Sequence, residues 1–204
     1  MADLGAIRST HRNRRAYESV ILTDREIQIG LTRKQIVIDP APRSDAYSST
    51  SVDLTLDPVL TLFEIGEAAV LKVVDPTHEK YNIDAALKEL TKSHTIDVKH
   101  GYDLEPRQLI LAWTKEYVHL PIDARLAARV EGKSSLARMG VGVHITAPTI
   151  HAGFDGQIRL EIVNHGHLPI KLRPGMKICQ LIFEQTLGTP QKGYSGQFSG
   201  QVAK

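Results

Sequence analysis

The chain of 204 residues has little cysteine, little net charge and few aromatic residues. Its single cysteine, Cys179, lies in the apolar run KICQLIF, which excludes a disulfide or a multi-cysteine metal site within one chain. The formal net charge of +2 is too small to indicate a protein that binds nucleic acid or a membrane surface through overall charge. Any cationic site must therefore be local.

Long apolar runs are also missing. No segment approaches the roughly 18 consecutive apolar residues of a membrane-spanning helix, and the polar, arginine-containing N-terminus lacks the apolar core of a signal peptide. We therefore expect a cytoplasmic protein without a membrane partner.

One domain of ordinary size is expected from this length. Residues 1–20 are basic and without apolar periodicity, which predicts a flexible arm. Residues 21–187 carry the periodic segments and form the domain. Residues 188–204 are rich in Gly, Ser and Gln, which is typical of a disordered end or of a lid that orders over a ligand.

Short runs of β-type sequence dominate the domain, and turn residues separate them. The predicted strands are QIVID (35–39), SVDLTLD (51–57), VLTLF (59–63), AVLKVV (69–74), HTIDVKH (94–100), RQLILAW (107–113), RLAARVE (125–131), VGVHI (141–145), QIRLEIVNH (157–165), LPIKL (168–172) and KICQLIFEQ (177–185).

Helical signals are fewer. The spacing of Thr23 and Glu26 predicts a capped, brief helix, and Ile83, Leu87 and Leu90 predict a second one. Many short strands with few helices favour a β-sandwich or a closed β-barrel.

The chemically densest stretch runs from residue 131 to residue 164. The segment GKSSLAR follows a predicted strand and is expected to form one helical turn. Free amides, the hydroxyls of Ser134 and Ser135, and Arg138 one turn further on would suit a phosphate group. The alternative is an ordinary capped turn with a surface arginine, since the segment is not a Walker A loop.

Glu161 lies in a predicted strand whose Ile158, Leu160 and Ile162 share one face, so that Arg159 and Glu161 share the other. One interpretation is an outward carboxylate paired with Arg159. The other is a carboxyl in a pocket, where partial desolvation lets one group both accept and donate a proton near neutral pH.

Histidines 144, 151, 165 and 167 do not form a set with metal-ligand spacing, and one cysteine cannot complete the H-x-E and P-C-x-x-C signature of zinc deaminases. The G-x-S-x-G signature of serine hydrolases is also missing. We expect neither a dedicated metal site nor serine nucleophile chemistry.

Several longer segments, taken in order, closely resemble the dCTP deaminase branch of the dUTPase-like superfamily over roughly residues 22–186. They are SVDLTL (51–56), LILAWTKEYVHLP (109–121), GKSSLARMGV, VHITA, AGFDGQIRLEIVN and LPIKLRPGMKICQLIFE. The resemblance implies a mainly β fold, a distorted jelly-roll-like β-barrel with a few short helices, assembled as a homotrimer with active sites between subunits. It also implies conversion of dCTP to dUTP and ammonia without zinc.

The resemblance assigns three residues to the reaction. Glu161 would shuttle protons during attack of water on C4 of cytosine, Ser134 would help to hold that water, and Ala147 would hold it through its backbone carbonyl. The implied substrate-binding residues are Lys133, Ser135, Arg138, His144, His151, Lys192, Tyr194 and Gln197.

Two positions depart from the family pattern. Lys133 stands where arginine is common, which keeps the charge and loses the two-pronged geometry. His151 stands where an aspartate usually binds the deoxyribose 3′-hydroxyl, and in dUTPases and bifunctional enzymes the matching aspartate activates the water that attacks the α-phosphate. Since histidine lacks that carboxylate, we expect no dUTPase activity.

The sequence therefore predicts deamination of a deoxycytidine nucleotide, foremost dCTP, with Mg²⁺ accompanying the triphosphate. Two alternatives stay open because of His151 and Lys133. One is a related enzyme with an altered substrate, such as dCMP or deoxycytidine. The other is a nucleotide-binding or regulatory trimer without turnover.

Overall fold

The structure, a computed structural model, describes residues 20–64, 73–194 and 200–203. The predicted arm therefore lies almost entirely outside the described residues. The strands are β1 (Val37–Asp39), β2 (Tyr47–Ser48), β3 (Ser51–Phe63), β4 (Thr91–Thr95), β5 (Tyr102–Leu104), β6 (Leu109–His119), β7 (Leu126–Gly132), β8 (Val141–Gly142), β9 (Asp155–Asn164), β10 (Ile170–Leu172) and β11 (Lys177–Gln185). The α-helices are α1 (Asp24–Thr32), α2 (Ile83–Leu90) and α3 (Ser134–Ala137).

Nine of these strands form one antiparallel sheet in the order β7-β11-β3-β6-β9-β8, with β1 added to β6 and both β2 and β4 added to β3. The short strands β5 and β10 pair separately. Register shifts in β3 and β6 interrupt the ladders, and such irregularities let a sheet bend around its own core. The predicted mainly β, barrel-like fold is confirmed.

Both predicted helices are confirmed. The Thr23 hydroxyl accepts a hydrogen bond from the Glu26 amide at 3.4 Å at the start of α1, and Asn82 caps α2 through the Ala85 amide at 2.9 Å. No helix in the part of the chain that the structure describes is long and apolar enough to cross a membrane.

Some strand boundaries differ from the prediction. The runs 51–57 and 59–63 form one strand, β3, because Pro58 lies at a register shift where the ladder does not need its missing amide hydrogen. The run 94–100 ends as a strand at Thr95, since the Asp97 carboxylate accepts the His100 amide at 2.6 Å in a turn. Of the run 141–145, only Val141–Gly142 is a strand.

The predicted strand 69–74 lies partly outside the described residues. Its last two residues, Val73 and Val74, are not in a strand and are 91% and 51% exposed, so the prediction is wrong for them. Without a partner strand or a buried face, β-type residues do not hold an extended ladder. Conversely, β2 and β5 were not predicted, because runs of two or three residues carry too little periodicity.

Candidate functional site

Strand β9 carries Glu161 on the outer face of the sheet. The alternation predicted from sequence is confirmed: Ile158, Leu160 and Ile162 are at most 3% exposed, whereas Glu161 is half-buried. On the neighbouring strand β6, Leu111 pairs directly with Glu161. The Glu161 side chain is thus partly shielded from water, with the apolar Leu111 beside it.

Arg159 shares this face, but its side chain extends across β6 and contacts residues other than Glu161. Its guanidinium lies 4.3 Å from the centre of the Trp113 ring and donates a hydrogen bond to the Thr61 hydroxyl at 2.9 Å. Burial lowers the pKa of Arg159, and the charge of Glu161 opposes this shift. Among the described residues, no ion pair joins Arg159 to Glu161, which argues against the simple surface pair.

The segment GKSSLAR forms the end of a strand followed by one helical turn, as predicted. Strand β7 ends at Gly132, and α3 begins at Ser134. The Arg138 amide donates to the Ser134 carbonyl at 3.1 Å, which places these residues one turn apart on the same side. Ser134, Ser135 and Arg138 are all exposed. Two hydroxyls of α3 and the guanidinium of its C-cap residue are therefore accessible to solvent.

Lys133 is oriented differently from its exposed neighbours in α3. Its ammonium donates a hydrogen bond to Oδ1 of Asp53 on β3, and the other oxygen of Asp53 lies 3.3 Å from Nζ of Lys177 on β11. Neither Asp53 nor Lys177 was predicted from the sequence. No local signal indicates them, since Asp53 and Lys133 are 80 positions apart.

Strand β8 connects this segment to the strand of Glu161. Gly140 makes the turn with a φ of 90°, and a Cβ there would lie 2.4 Å from the Gly166 amide nitrogen, so only glycine fits. Gly142 then pairs with Val163, two residues beyond Glu161 on β9. His144 lies two residues after the end of β8 and is half-buried, while Ala147 is exposed in the next loop.

His151 lies next to the C-terminal segment. Its ring centre is 5.7 Å from that of Tyr194, with an angle of 27° between the ring planes. The Tyr194 amide donates to the Ala152 carbonyl at 3.1 Å, which fixes the tyrosine at this turn. The structure thus brings together two of the predicted substrate-binding residues. Lys192 is exposed nearby in the chain, and Gln197 lies outside the described residues.

The last described residues dock beside the same turn. The Gly200 amide donates to the Asp155 carbonyl at 2.8 Å, and the Gln157 amide donates to the Gln201 carbonyl at 2.9 Å. The Gln157 side chain also accepts the Ala203 amide at 2.6 Å. This role of Gln157 was not predicted from the sequence, because the contact spans 46 positions.

Replacing Gly153 by Ala is expected to weaken the packing of the C-terminal segment at Tyr194. Gly153 has a φ of 86°, and a Cβ would lie 2.8 Å from the Tyr194 amide nitrogen. We expect a stability loss of about 1–2 kcal/mol in thermal unfolding and faster proteolytic cleavage after residue 186. The variant Gly188→Ala is the control for positive φ alone, since no atom lies within 4 Å of a Cβ there. Equal cleavage of both variants would contradict this role of Gly153.

The remaining groups offer little alternative chemistry. In residues 20–64, 73–194 and 200–203, no three His, Cys, Asp or Glu side chains are arranged to hold a metal ion. Burial raises the pKa of the Cys179 thiol, which keeps it neutral and unreactive. Helix α3 contacts β8, and β8 pairs with β9, so the exposed side chains of α3 and the carboxylate of Glu161 lie on connected elements.

The chain is similar to known proteins over most of its length. A family model described as dCTP deaminase-like matches residues 21–186. A protein of Methanobrevibacter smithii named dCTP deaminase, dUMP-forming, is 38% identical over 170 residues, which cover 83% of this chain and 82% of that protein. A protein of Shewanella amazonensis named dCTP deaminase is 41% identical over 176 residues, covering 85% and 88%.

The fold also has a counterpart among solved structures. The crystal structure of 2′-deoxycytidine 5′-triphosphate deaminase from Agrobacterium tumefaciens superposes with a TM-score of 0.61 at 21% identity. The match covers 82% of this chain and 48% of that chain, so the present chain spans about half of its length. At this identity the likeness concerns the fold.

Proposed function

Since the chain belongs to the dCTP deaminase-like family, we propose that it hydrolyses the C4 amino group of a deoxycytidine nucleotide, foremost converting dCTP to dUTP and ammonia. The observation that carries the proposal is the position of Glu161. This carboxylate stands on the outer face of β9, and β8 connects that strand to the hydroxyls and guanidinium of α3.

In the proposed reaction, Glu161 accepts a proton from a water molecule held by the Ser134 hydroxyl and the Ala147 carbonyl. The hydroxide oxygen bonds to C4 of cytosine while N3 receives the proton from Glu161. Glu161 then takes the proton of the new C4 hydroxyl and passes it to the amino nitrogen, so that the C4 carbonyl forms while the C4–N bond breaks and ammonia leaves. No zinc takes part in this scheme, because one carboxyl group supplies both acid and base.

The opposite end of the proposed substrate is the triphosphate. The Ser135 hydroxyl and the Arg138 guanidinium are its primary contacts, because Arg138 offers a two-pronged match to phosphate oxygens. Lys133, Lys192 and Gln197 are proposed as further phosphate contacts, and Mg²⁺ enters with the triphosphate as part of the substrate.

The sugar is assigned to His151, whereas His144 is proposed as a pocket wall or hydrogen-bond partner and Tyr194 as part of the closing lid. His151 can donate or accept a hydrogen bond with the sugar hydroxyl but has no carboxylate to activate water at the α-phosphate. We therefore propose dUTP as the product, although the Methanobrevibacter smithii relative is named dUMP-forming.

We further propose a homotrimer with active sites between subunits. In the single chain, Ser134, Ala147 and His151 are exposed, and the apolar side chains of Met139 and Ile145 beside them are 53% and 54% exposed. A substrate pocket needs walls that exclude water, and a neighbouring subunit would supply them while covering the apolar side chains.

The proposal is tested by incubating the protein with dCTP, dCMP, deoxycytidine, CTP and dUTP and by measuring ammonia and nucleotide products. We expect ammonia and dUTP from dCTP, and no dUMP from dCTP or dUTP. Deamination confined to dCMP or deoxycytidine would replace the assigned substrate, and dUMP would contradict the interpretation of His151. Tight dCTP binding without product would support the non-catalytic, nucleotide-binding alternative.

A further inference from the structure

The carboxylate of Asp53 is held by two lysines from distant parts of the chain. Its side chain is 6% exposed on β3, where the neighbouring Leu54 faces the core. Lys133, immediately after β7, donates to Oδ1, and Nζ of Lys177, at the start of β11, lies 3.3 Å from Oδ2. One nearly buried negative charge is thus matched by two positive charges.

The other acidic groups nearby have partners of their own. Glu116 is 7% exposed and accepts both the amide and the hydroxyl hydrogen of Thr55, at 2.8 and 2.6 Å. Asp45 lies 3.5 Å from Lys177, whose ammonium also donates a hydrogen bond to the Asp45 backbone carbonyl, but the Asp45 carboxylate has its own partner in Arg43, whose hydrogen bond lowers the pKa of Asp45 to about 2. Asp53 is therefore the carboxylate on which both lysines converge.

The presence of Lys177 beside Asp53 allows Lys133 to leave this carboxylate at a lower energetic cost. Removing the only partner of a buried carboxylate is strongly unfavourable, because the charge is left without water or a counter-ion. With Lys177 in place, Asp53 stays paired when Lys133 leaves. Lys133 also directly precedes Ser134 and Ser135 in the chain, and its four-carbon stem is flexible.

We propose that Asp53 and Lys177 are positioning residues for Lys133. In the free protein Asp53 holds the Lys133 ammonium, and when a nucleoside triphosphate binds, this ammonium moves to a phosphate oxygen while Lys177 keeps Asp53 neutralised. The inference rests on the proposed function, because that function places the phosphates at Ser135 and Arg138. It assigns a role to Lys177, which makes no contact with the phosphate itself.

The test measures dCTP binding by calorimetry in a Glu161→Gln background, which prevents turnover. Lys177→Met should raise the Kd for dCTP about tenfold, because Lys133 is then retained by Asp53. In otherwise unsubstituted protein the same change should raise KM by a similar factor and alter kcat less than twofold. Lys177→Arg should bind normally. Lys171→Met is the matched control, since Lys171 pairs with the exposed Asp103.

A double-mutant cycle separates positioning from direct contact. Lys133→Met should weaken dCTP binding, and adding Lys177→Met should then cause less than a twofold further loss. Equal losses from Lys177→Met with and without Lys133 would overturn the inference, as would no loss in either background.

Failure of the inference is distinguishable from failure of the proposed function. If the protein deaminates dCTP and the lysines are uncoupled, the inference alone is wrong. If coupled dCTP binding occurs without deamination, the reaction is wrong and the inference stands. Absence of dCTP binding would overturn both.

Discussion

Glu161→Gln is expected to lower kcat for dCTP deamination by about a thousandfold while the Kd for dCTP changes less than about threefold. Glutamine keeps the size and hydrogen-bonding capacity of the side chain but cannot accept the proton of the attacking water. The same group is needed again to protonate N3 and the leaving amine, so every proton transfer of the scheme is affected.

The measurement is ammonia release under single-turnover conditions, with dCTP binding followed by calorimetry on the same preparation. Glu184→Gln is the matched control. Glu184, on β11, forms an ion pair with the Arg129 guanidinium at 2.9 Å and has no role in the proposed reaction. More than a tenth of the original kcat in Glu161→Gln would show that another group transfers the protons.

Asn164→Ala is expected to lower the free energy of unfolding by about 3 kcal/mol. Asn164 is fully buried at the end of β9, and its amide donates to the carbonyls of Leu104 and Leu168, each at 2.9 Å. Its side-chain oxygen accepts the Gly166 amide at 2.9 Å. Each lost hydrogen bond leaves a backbone carbonyl or amide without its side-chain partner, at a cost of about 1 kcal/mol.

Urea denaturation measures this loss, with Asn82→Ala as the control. Asn82 caps the exposed helix α2, and its replacement should cost about 1 kcal/mol. Asn164 also pairs with Val141 of β8. The substitution should therefore reduce activity as well, because β8 connects α3 to the strand that carries Glu161. A change below about 1 kcal/mol would show that water or neighbouring groups replace the lost bonds.

Local features of the site followed from the sequence. A strand has a period of two, so the apolar residues 158, 160 and 162 already implied that Glu161 faces the other way, as the structure shows. A helical turn has a period near four, so Ser134 and Arg138 were expected on one side of α3. These relations depend only on residues close together in the chain.

The strand boundaries were predicted less accurately from the sequence. The sequence divided β3 at Pro58, because proline interrupts a regular ladder. The structure keeps one strand because a register shift removes the need for the amide hydrogen at that point, and the shift depends on how β3 pairs with β6. Pairing partners are not encoded in the local pattern.

The sequence by itself determined the alternating strands, the capped helix α1, the turn that presents Ser134 and Ser135, and, through ordered motifs, the family. Tertiary structure alone decided that Lys133 and Lys177 meet at Asp53, and that the C-terminal residues dock on Gln157. Periodicity is set by neighbouring residues, whereas contacts between distant residues depend on strand order and register, which only the packed sheet fixes.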